Sequence, residues 1–282
     1  MKTIRVAGVP EHFNLPWQNA IQAGAFEAVG IDLQWTMVPE GTGRLCQLLQ
    51  DNEIDLAVIL TEGLIKSIHQ GNPARIVQKY VQSPLLWGVH VSATSSYQTE
   101  EELRGKKVAI SRYGSGSELM AYVHADQFNW PKSSLQFEVV NTLDGAIEAL
   151  TDQKADYFLW EQFMTQPVVD RGIFRRLGVC PTPWPSFVLA ATEYCLNTQA
   201  AEIELIRDTI NAFTKTFKTN QEETILQIVD TYGQLPKNIE NWLALTEWAT
   251  EPFTEAEIDH VQDQMMHYSL VDTKLEAKQI LG

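Results

Sequence analysis

The chain is poor in the groups that most often carry disulfide or metal chemistry. It has three cysteines, Cys46, Cys180 and Cys195, odd in number and widely spaced. That excludes a disulfide framework and a cysteine-based zinc site, and the three thiols read as small apolar residues. No Asp/Glu/His set has metal-ligand spacing, so no metal and no cofactor is expected. Basic charge is short as well. The 21 Lys and Arg stand against 36 Asp and Glu, for a net charge of −15, and the acids are scattered, as in 51-DNEID-55 and 100-EEE-102. A surface of that sign repels phosphate backbones and anionic lipid, so neither nucleic acid nor membrane is an expected partner. No apolar run approaches the ~18 residues of a membrane-spanning helix. The opening, 1-MKTIRVAGVPEHF-13, passes from one lysine into an alternating strand pattern, without a signal-peptide apolar region or a lipidation cysteine. As written, the chain is expected in the cytoplasm, or in the periplasm if an export signal has been removed. The nucleophile elbow G-x-S-x-G and the zinc helix H-E-x-x-H are also missing, which lowers the expectation of an enzyme without excluding one.

What is present is an alternation of strand-like and helix-like segments over roughly the first 175 residues, the pattern of an α/β protein with mostly parallel sheets. The segment 4-IRVAGV-9 reads as a strand, 17-WQNAIQAGAFEAVG-30 as a helix, 31-IDLQWTMV-38 as a strand, 43-GRLCQLLQD-51 as a helix and 55-DLAVIL-60 as a buried strand. The same order returns from 107-KVAI-110 to 156-DYFLW-160. Leu33 recurs as Leu135 and Asp55 as Asp156, an interval of about a hundred residues, which implies two lobes of similar build. The extended stretches 75-RIVQKYVQSPLLWGVHVSA-93 and 178-GVCPTPWPSFVLAA-191 lead out and back. Lobe one is therefore expected at 1–88 and 186–282, with lobe two inserted at 89–185. Capping boxes are expected at Asn220 to Glu223 and at Thr254 to Glu257 of a helical tail.

In parallel sheets, ligands collect at the carboxyl ends of strands. The first such end, 10-PEHFNLPW-17, offers His12, Phe13, Asn14 and Trp17, though Asn14 and Pro16 equally suit a helix start. The second, 39-PEGTGRL-45, exposes helix-start amides around Gly41, Thr42 and Gly43, as a plain turn also would. The third, 61-TEG-63, supplies the hydroxyl of Thr61 and a carboxylate, as a cap equally would. In lobe two, 111-SRYGSGSEL-119 carries an S-x-x-E capping box from Ser115 to Glu118. The glycines Gly114 and Gly116 and the hydroxyls of Ser115 and Ser117 exceed what a cap requires, and they suit an anion on backbone N–H groups. Arg112 could add a charge or face solvent. No Lys follows in phosphate-loop spacing. The remaining candidates are Asn141, then Trp160 and Glu161 as a stacking face and an acceptor, and Trp184 held between prolines. Core packing accounts for either tryptophan as well.

Taken in order, 10-PEHFNLPW-17, 27-EAVGIDLQW-35, 41-GTGRLCQLLQDNEIDLAVILTEG-63, 103-LRGKKVAISRYGSGSE-118 and 178-GVCPTPWPSF-187 resemble the type II periplasmic-binding-protein family. The resemblance is to its nitrate/sulfonate/taurine and thiamine-precursor branch of ABC-transporter substrate-binding proteins. It implies a two-lobed fold, each lobe a mostly parallel sheet flanked by helices, joined by two crossover strands. It also implies a small-molecule ligand gripped between hinged lobes and an ABC permease as partner, and it would carry ligand contact onto Trp17 and its loop, Gly41 to Gly43, 114-GSGS-117, Trp160 and Glu161. The expected ligand is a small organic anion with an aromatic or heterocyclic part, bound by a monomer. The alternative is a cytoplasmic enzyme on the same fold, akin to menaquinone- or thiamine-pathway proteins, with His12 or Glu161 as general base.

Overall fold

Apolar segments flanked by turn residues become ten strands in two five-stranded sheets in the computed structural model, which describes residues 1–282. The chain divides into unit 1, Met1–Ser83 with Pro183–Gly282, and unit 2, Pro84–Thr182. Unit 1 holds strands β1 (Lys2–Gly8), β2 (Ile31–Met37), β3 (Leu56–Leu60), β4 (Arg75–Val81) and β10 (Phe187–Ala191). Unit 2 holds β5 (Leu86–Ser92), β6 (Lys107–Ile110), β7 (Gln136–Val139), β8 (Tyr157–Glu161) and β9 (Phe174–Pro181). The helices of unit 1 are α1 (Leu15–Gln22), α2 (Ala25–Ala28), α3 (Thr42–Gln50) and α4 (Thr61–His69); those of unit 2 are α5 (Gly116–Gln127), α6 (Leu143–Thr151) and α7 (Gln166–Asp170). The tail adds α8 (Glu193–Thr198), α9 (Ala200–Thr219), α10 (Gln221–Tyr232), α11 (Pro236–Leu245) and α12 (Glu255–His267) to unit 1. No helix is long and apolar enough to cross a membrane.

The two sheets share one topology, β2-β1-β3-β10-β4 and β7-β6-β8-β5-β9. In each, the first three strands of that order run parallel, and the fourth runs antiparallel to both neighbours. The reversed strand is the first one the chain makes on entering a unit, β5 after Pro84 and β10 after Pro183. The expected division at 88/89 would cut β5 in half. The prolines at 84 and 183, which cannot donate to a ladder, sit instead where one sheet ends and the next begins.

The repeated aspartates have a structural reason. Arg5 N donates to Asp55 Oδ2 at 2.8 Å while Asp55 N donates to Arg5 O at 2.8 Å, and in unit 2 Lys107 N donates to Asp156 Oδ2 and Asp156 N to Lys107 O, also at 2.8 Å. Each aspartate thus extends the ladder between the first and third parallel strands by one side-chain bond. Asp55 also forms an ion pair with Arg5.

Three local expectations change. The helix expected over 17–30 is broken at Gly24, which adopts a left-handed conformation, φ 65°. Asn220 precedes α10 without a side-chain cap, whereas Thr254 and Glu257 form a complete capping box on α12. Asn14 does not cap α1 either. Its Nδ2 turns back to the Val9 carbonyl at 2.8 Å, which fixes the loop after β1.

Candidate functional site

In unit 1 the carboxyl ends of adjacent β1 and β3, with the chain entering β10, put Pro10–Trp17, Thr61–Gly63 and Trp184 at one edge of the sheet. Most of the expected contact residues there are core. Trp17 is fully buried and stacks on Trp35 at 5.4 Å and Phe26 at 5.9 Å, because its position on the apolar face of α1 points it into the sheet. Phe13 packs on Phe187 and Trp242. His12, 2% exposed, lies edge-on to Tyr232 at 4.3 Å, and burial lowers its pKa to about 4. It is a neutral ring in apolar surroundings, with Gln234 Nε2 placed 3.3 Å away to donate to its Nε2. Thr61 is likewise committed: its hydroxyl donates to Pro185 O at 2.6 Å.

Two carboxyls lie on this edge, Glu62 as the carboxylate of 61-TEG-63 and Glu11 outside the expected set. Glu62 is 8% exposed and accepts a hydrogen bond from Trp184 Nε1 at 2.9 Å. Burial nonetheless pushes its pKa up to about 7, only partly opposed by its own backbone N–H and by Trp184. Glu11 is half-buried, its carboxylate makes no hydrogen bond or ion pair, and burial raises it to about 7 as well. Both follow a strand end directly, as 10-PE-11 and 61-TE-62, a placement readable in the sequence. Gly41 (φ 79°) precedes α3, and Thr42 packs so close to α4 that a Cβ on Gly63 would lie 2.2 Å from its Cγ2. Gly43 is exposed.

In unit 2 the stretch 111-SRYGSGSEL-119 turns from β6 into α5. Ser115 Oγ accepts from Glu118 N, but the return arm of the expected box goes elsewhere: Glu118 Oε2 accepts from Gly114 N at 2.5 Å. The helix therefore supplies its own anion to Gly114 and leaves the Gly116 and Ser117 amides at its start. Ser111, Ser115 and Ser117 are wired together, with Ser117 Oγ accepting from Ser111 N at 2.9 Å and lying 3.0 Å from Ser115 Oγ and 3.3 Å from Ser111 Oγ. Arg112 and Asn141 are exposed.

Trp87, outside the expected set, occupies the space that Gly116 leaves. A Cβ on Gly116 would lie 3.0 Å from Trp87 Cη2 and 3.2 Å from Cζ2, so the glycine is required by the indole. Trp87 meets Trp160 edge-on at 6.1 Å, and Trp160, half-buried, stacks on Phe158 at 5.3 Å. The Trp87 Nε1–H is buried and has no acceptor, a cost of about 1–3 kcal/mol. Glu161, opposite Trp87 in the β5/β8 ladder, is buried and accepts from Met164 N at 2.6 Å. Trp87 could have been found as the aromatic at the start of the strand that leads out of lobe one. No cluster of three or more His, Cys, Asp or Glu could hold a metal ion.

Two units of this shared topology, joined by two crossings, are the architecture of type II periplasmic binding proteins, and the chain has that fold. More narrowly, residues 87–180 match the family model described as Ca3427-like PBP. The CA3427 gene product of Candida albicans, described as defining a new family with the generic periplasmic binding protein fold, is 27% identical, with 99% of this chain and 94% of that chain covered and a TM-score of 0.89. The alkanesulfonate-binding protein SsuA from Xanthomonas axonopodis pv. citri, bound to MOPS, is 15% identical over 99% of this chain and 98% of that chain, TM-score 0.81. The periplasmic aliphatic sulphonate binding protein SsuA from Escherichia coli is 17% identical over 100% and 92%, TM-score 0.80. Among curated proteins none matches.

Proposed function

We propose that the protein binds a small organic anion with an aromatic or heterocyclic part, as the solute-binding component of an ABC-type uptake system. The observation that carries this reading is the start of α5. A twelve-residue helix presents the Gly116 and Ser117 amides at the carboxyl end of β6, where the helix dipole favours negative charge. Two further facts support it: the fold is shared with a protein described as bound to MOPS, a sulfonate, and half-buried Trp160 meets edge-on the Trp87 ring that lies against Gly116. Binding energy would come from charge-assisted hydrogen bonds together with desolvated aromatic surface, and would favour the ligand-bound conformation. An uptake role also requires a permease partner and export of the chain.

The enzyme alternative draws little support from His12, which is sealed in the core and held neutral, a poor position for a general base. Native mass spectrometry of freshly purified protein, followed by thermal-shift screening against sulfonates, carboxylates and heterocycles, tests the proposal. A co-purified or stabilising anion recovered unchanged is the expected result. Conversion of the bound molecule to a product would overturn it in favour of the enzyme, and stabilisation by none of the anions would remove the anion reading.

A further inference from the structure

Three helices of unit 1, α1, α9 and α10, border a cavity of about 470 Å³ that lies away from the strand-end edge. Because β1 and β2 run parallel, α1 carries the chain back from the carboxyl end of β1, and Gln22 lies about 10 Å along the helix from Leu15. The last residue of α10, Tyr232, meets His12 at the strand-end edge, so the first turn of α10 lies about 16 Å from it. Each helix turns one face to the cavity, with residues spaced three and four apart. Such a face is ordinarily apolar and closes on its neighbours. Here it presents Asn19 and Gln22 from α1, and Asn220, Glu223 and Gln227 around α10, beside the half-buried ring of Phe213 from α9.

The fold does not use up these polar groups. Asn19 and Gln227 pair amide to amide: Asn19 Nδ2 donates to Gln227 Oε1 at 3.0 Å, and Gln227 Nε2 donates to Asn19 Oδ1 at 2.6 Å. Each keeps a second N–H and a second lone pair. Asn220 and Glu223 occupy the N-cap and N3 positions of α10, where these residue types ordinarily close a helix end by a reciprocal pair of bonds. Neither arm forms, and neither side chain has another partner. The exposed Gln22 amide is also unengaged. The Thr216 and Thr224 hydroxyls donate to Ala212 O at 3.1 Å and Phe217 O at 2.7 Å, so toward the cavity they can only accept. No Lys, Arg or His lines the cavity, and Glu223 carries its one charge.

We propose that this cavity is a second ligand site and that it takes a neutral saccharide. A sugar hydroxyl both donates and accepts, which matches amides that do the same and a carboxylate and two threonines that accept. The C–H face of the sugar ring would lie on Phe213. The same inventory disfavours other classes. An anion would meet Glu223 and no cation, an apolar molecule would leave the amides unpaired, and a cation would find one exposed carboxylate, a weak attraction in water. The volume falls within the range of small-molecule pockets. None of these residues belongs to the anion seat at α5, so this site stands or falls independently of that reading.

The test uses the full chain with glucose, maltose and trehalose as probes, and with methanesulfonate and spermidine as charged controls. Binding is followed by calorimetry and by side-chain amide resonances in proton–nitrogen spectra. The expected result is saturable binding of at least one sugar at millimolar concentration or below, with the Gln22 and Asn220 amide resonances moving. Gln22→Ala should weaken that binding about three- to tenfold, the worth of one hydrogen bond, and leave the melting temperature of the free protein unchanged. Phe213→Leu, which keeps an apolar group but removes the flat ring, should weaken it by a similar factor. Binding of none of the three sugars would overturn the saccharide assignment. Sugar binding that moves resonances of residues 10–17 or 61–63 and leaves Gln22 and Asn220 unmoved would overturn the site. If spermidine or methanesulfonate moves the Gln22 and Asn220 resonances and the sugars do not, the neutral class is overturned. Should Phe213→Leu fail to fold, the wild-type resonances and Gln22→Ala decide the question. Failure of methanesulfonate to bind anywhere would count against the anion reading alone.

Discussion

Glu62→Gln isolates the cost of holding a carboxylate in the edge of unit 1. The amide oxygen of glutamine can keep the bond from Trp184 Nε1, so the substitution removes charge and little else. The folded protein binds the Glu62 proton with a pKa of about 7, against an ordinary value of 4.5 in the unfolded chain. Stability therefore falls as pH rises between 4.5 and 7 and is level above that window. Integrated over the two titrations, the ionised Glu62 lowers stability by about 3 kcal/mol at pH 8 and by about 1 kcal/mol at pH 5. Wild-type stability alone will not reveal this, because His12 and His90, lowered by burial to about 4 and about 3, lose stability as pH falls below 6.5 and so slope the other way. The difference between wild type and Glu62→Gln cancels the histidines. The variant is expected to gain about 2 kcal/mol more at pH 8 than at pH 5, on the order of 5 °C in thermal melting for a chain of this size. Melting followed by circular dichroism at both pH values checks it. An offset independent of pH, or a variant less stable at pH 8, would refute the reasoning that burial governs this carboxyl.

Gly145→Ala opposes helix propensity to packing. Alanine favours a helix by up to about 1 kcal/mol, but a Cβ at Gly145 would lie 2.1 Å from the Val140 carbonyl oxygen, so the variant should be destabilised by about 1–3 kcal/mol in urea unfolding. Asp156→Ala removes the acceptor for Lys107 N and for the Tyr97 hydroxyl and should cost about 1–3 kcal/mol. The same variant should bring the Tyr97 pKa down from about 12, since Asp156 acts after burial in raising it, and the ultraviolet titration of tyrosinate reads that shift independently of stability.

The alternation of apolar segments, the hundred-residue interval and the two proline-rich crossings were enough to anticipate two α/β units of similar build, one inserted in the other. Periodicity and turn residues are local signals, and Asp55 and Asp156 repeat because each closes the same pair of strands. The candidate site was less legible. Strand-end position singled out Ser115, Gly116 and Glu161, and it also selected Trp17, Phe13 and His12, which burial commits to the core. It passed over Glu11 and Trp87. For Glu62 and Trp87 the significance depends on partners distant in sequence: Trp184 lies 122 residues from Glu62. Trp87 matters because of Gly116, on a different strand–helix turn.

By itself the sequence determined where strands and helices form and that the chain builds two similar units. Only the tertiary structure decided which aromatic rings are core and which border the amides, that Glu118 rather than a ligand occupies Gly114 N, and which buried donors and carboxyls remain unbalanced. Secondary structure follows from nearest neighbours along the chain. Burial and hydrogen-bond satisfaction depend on side chains brought together from separate strands, and no local pattern encodes them.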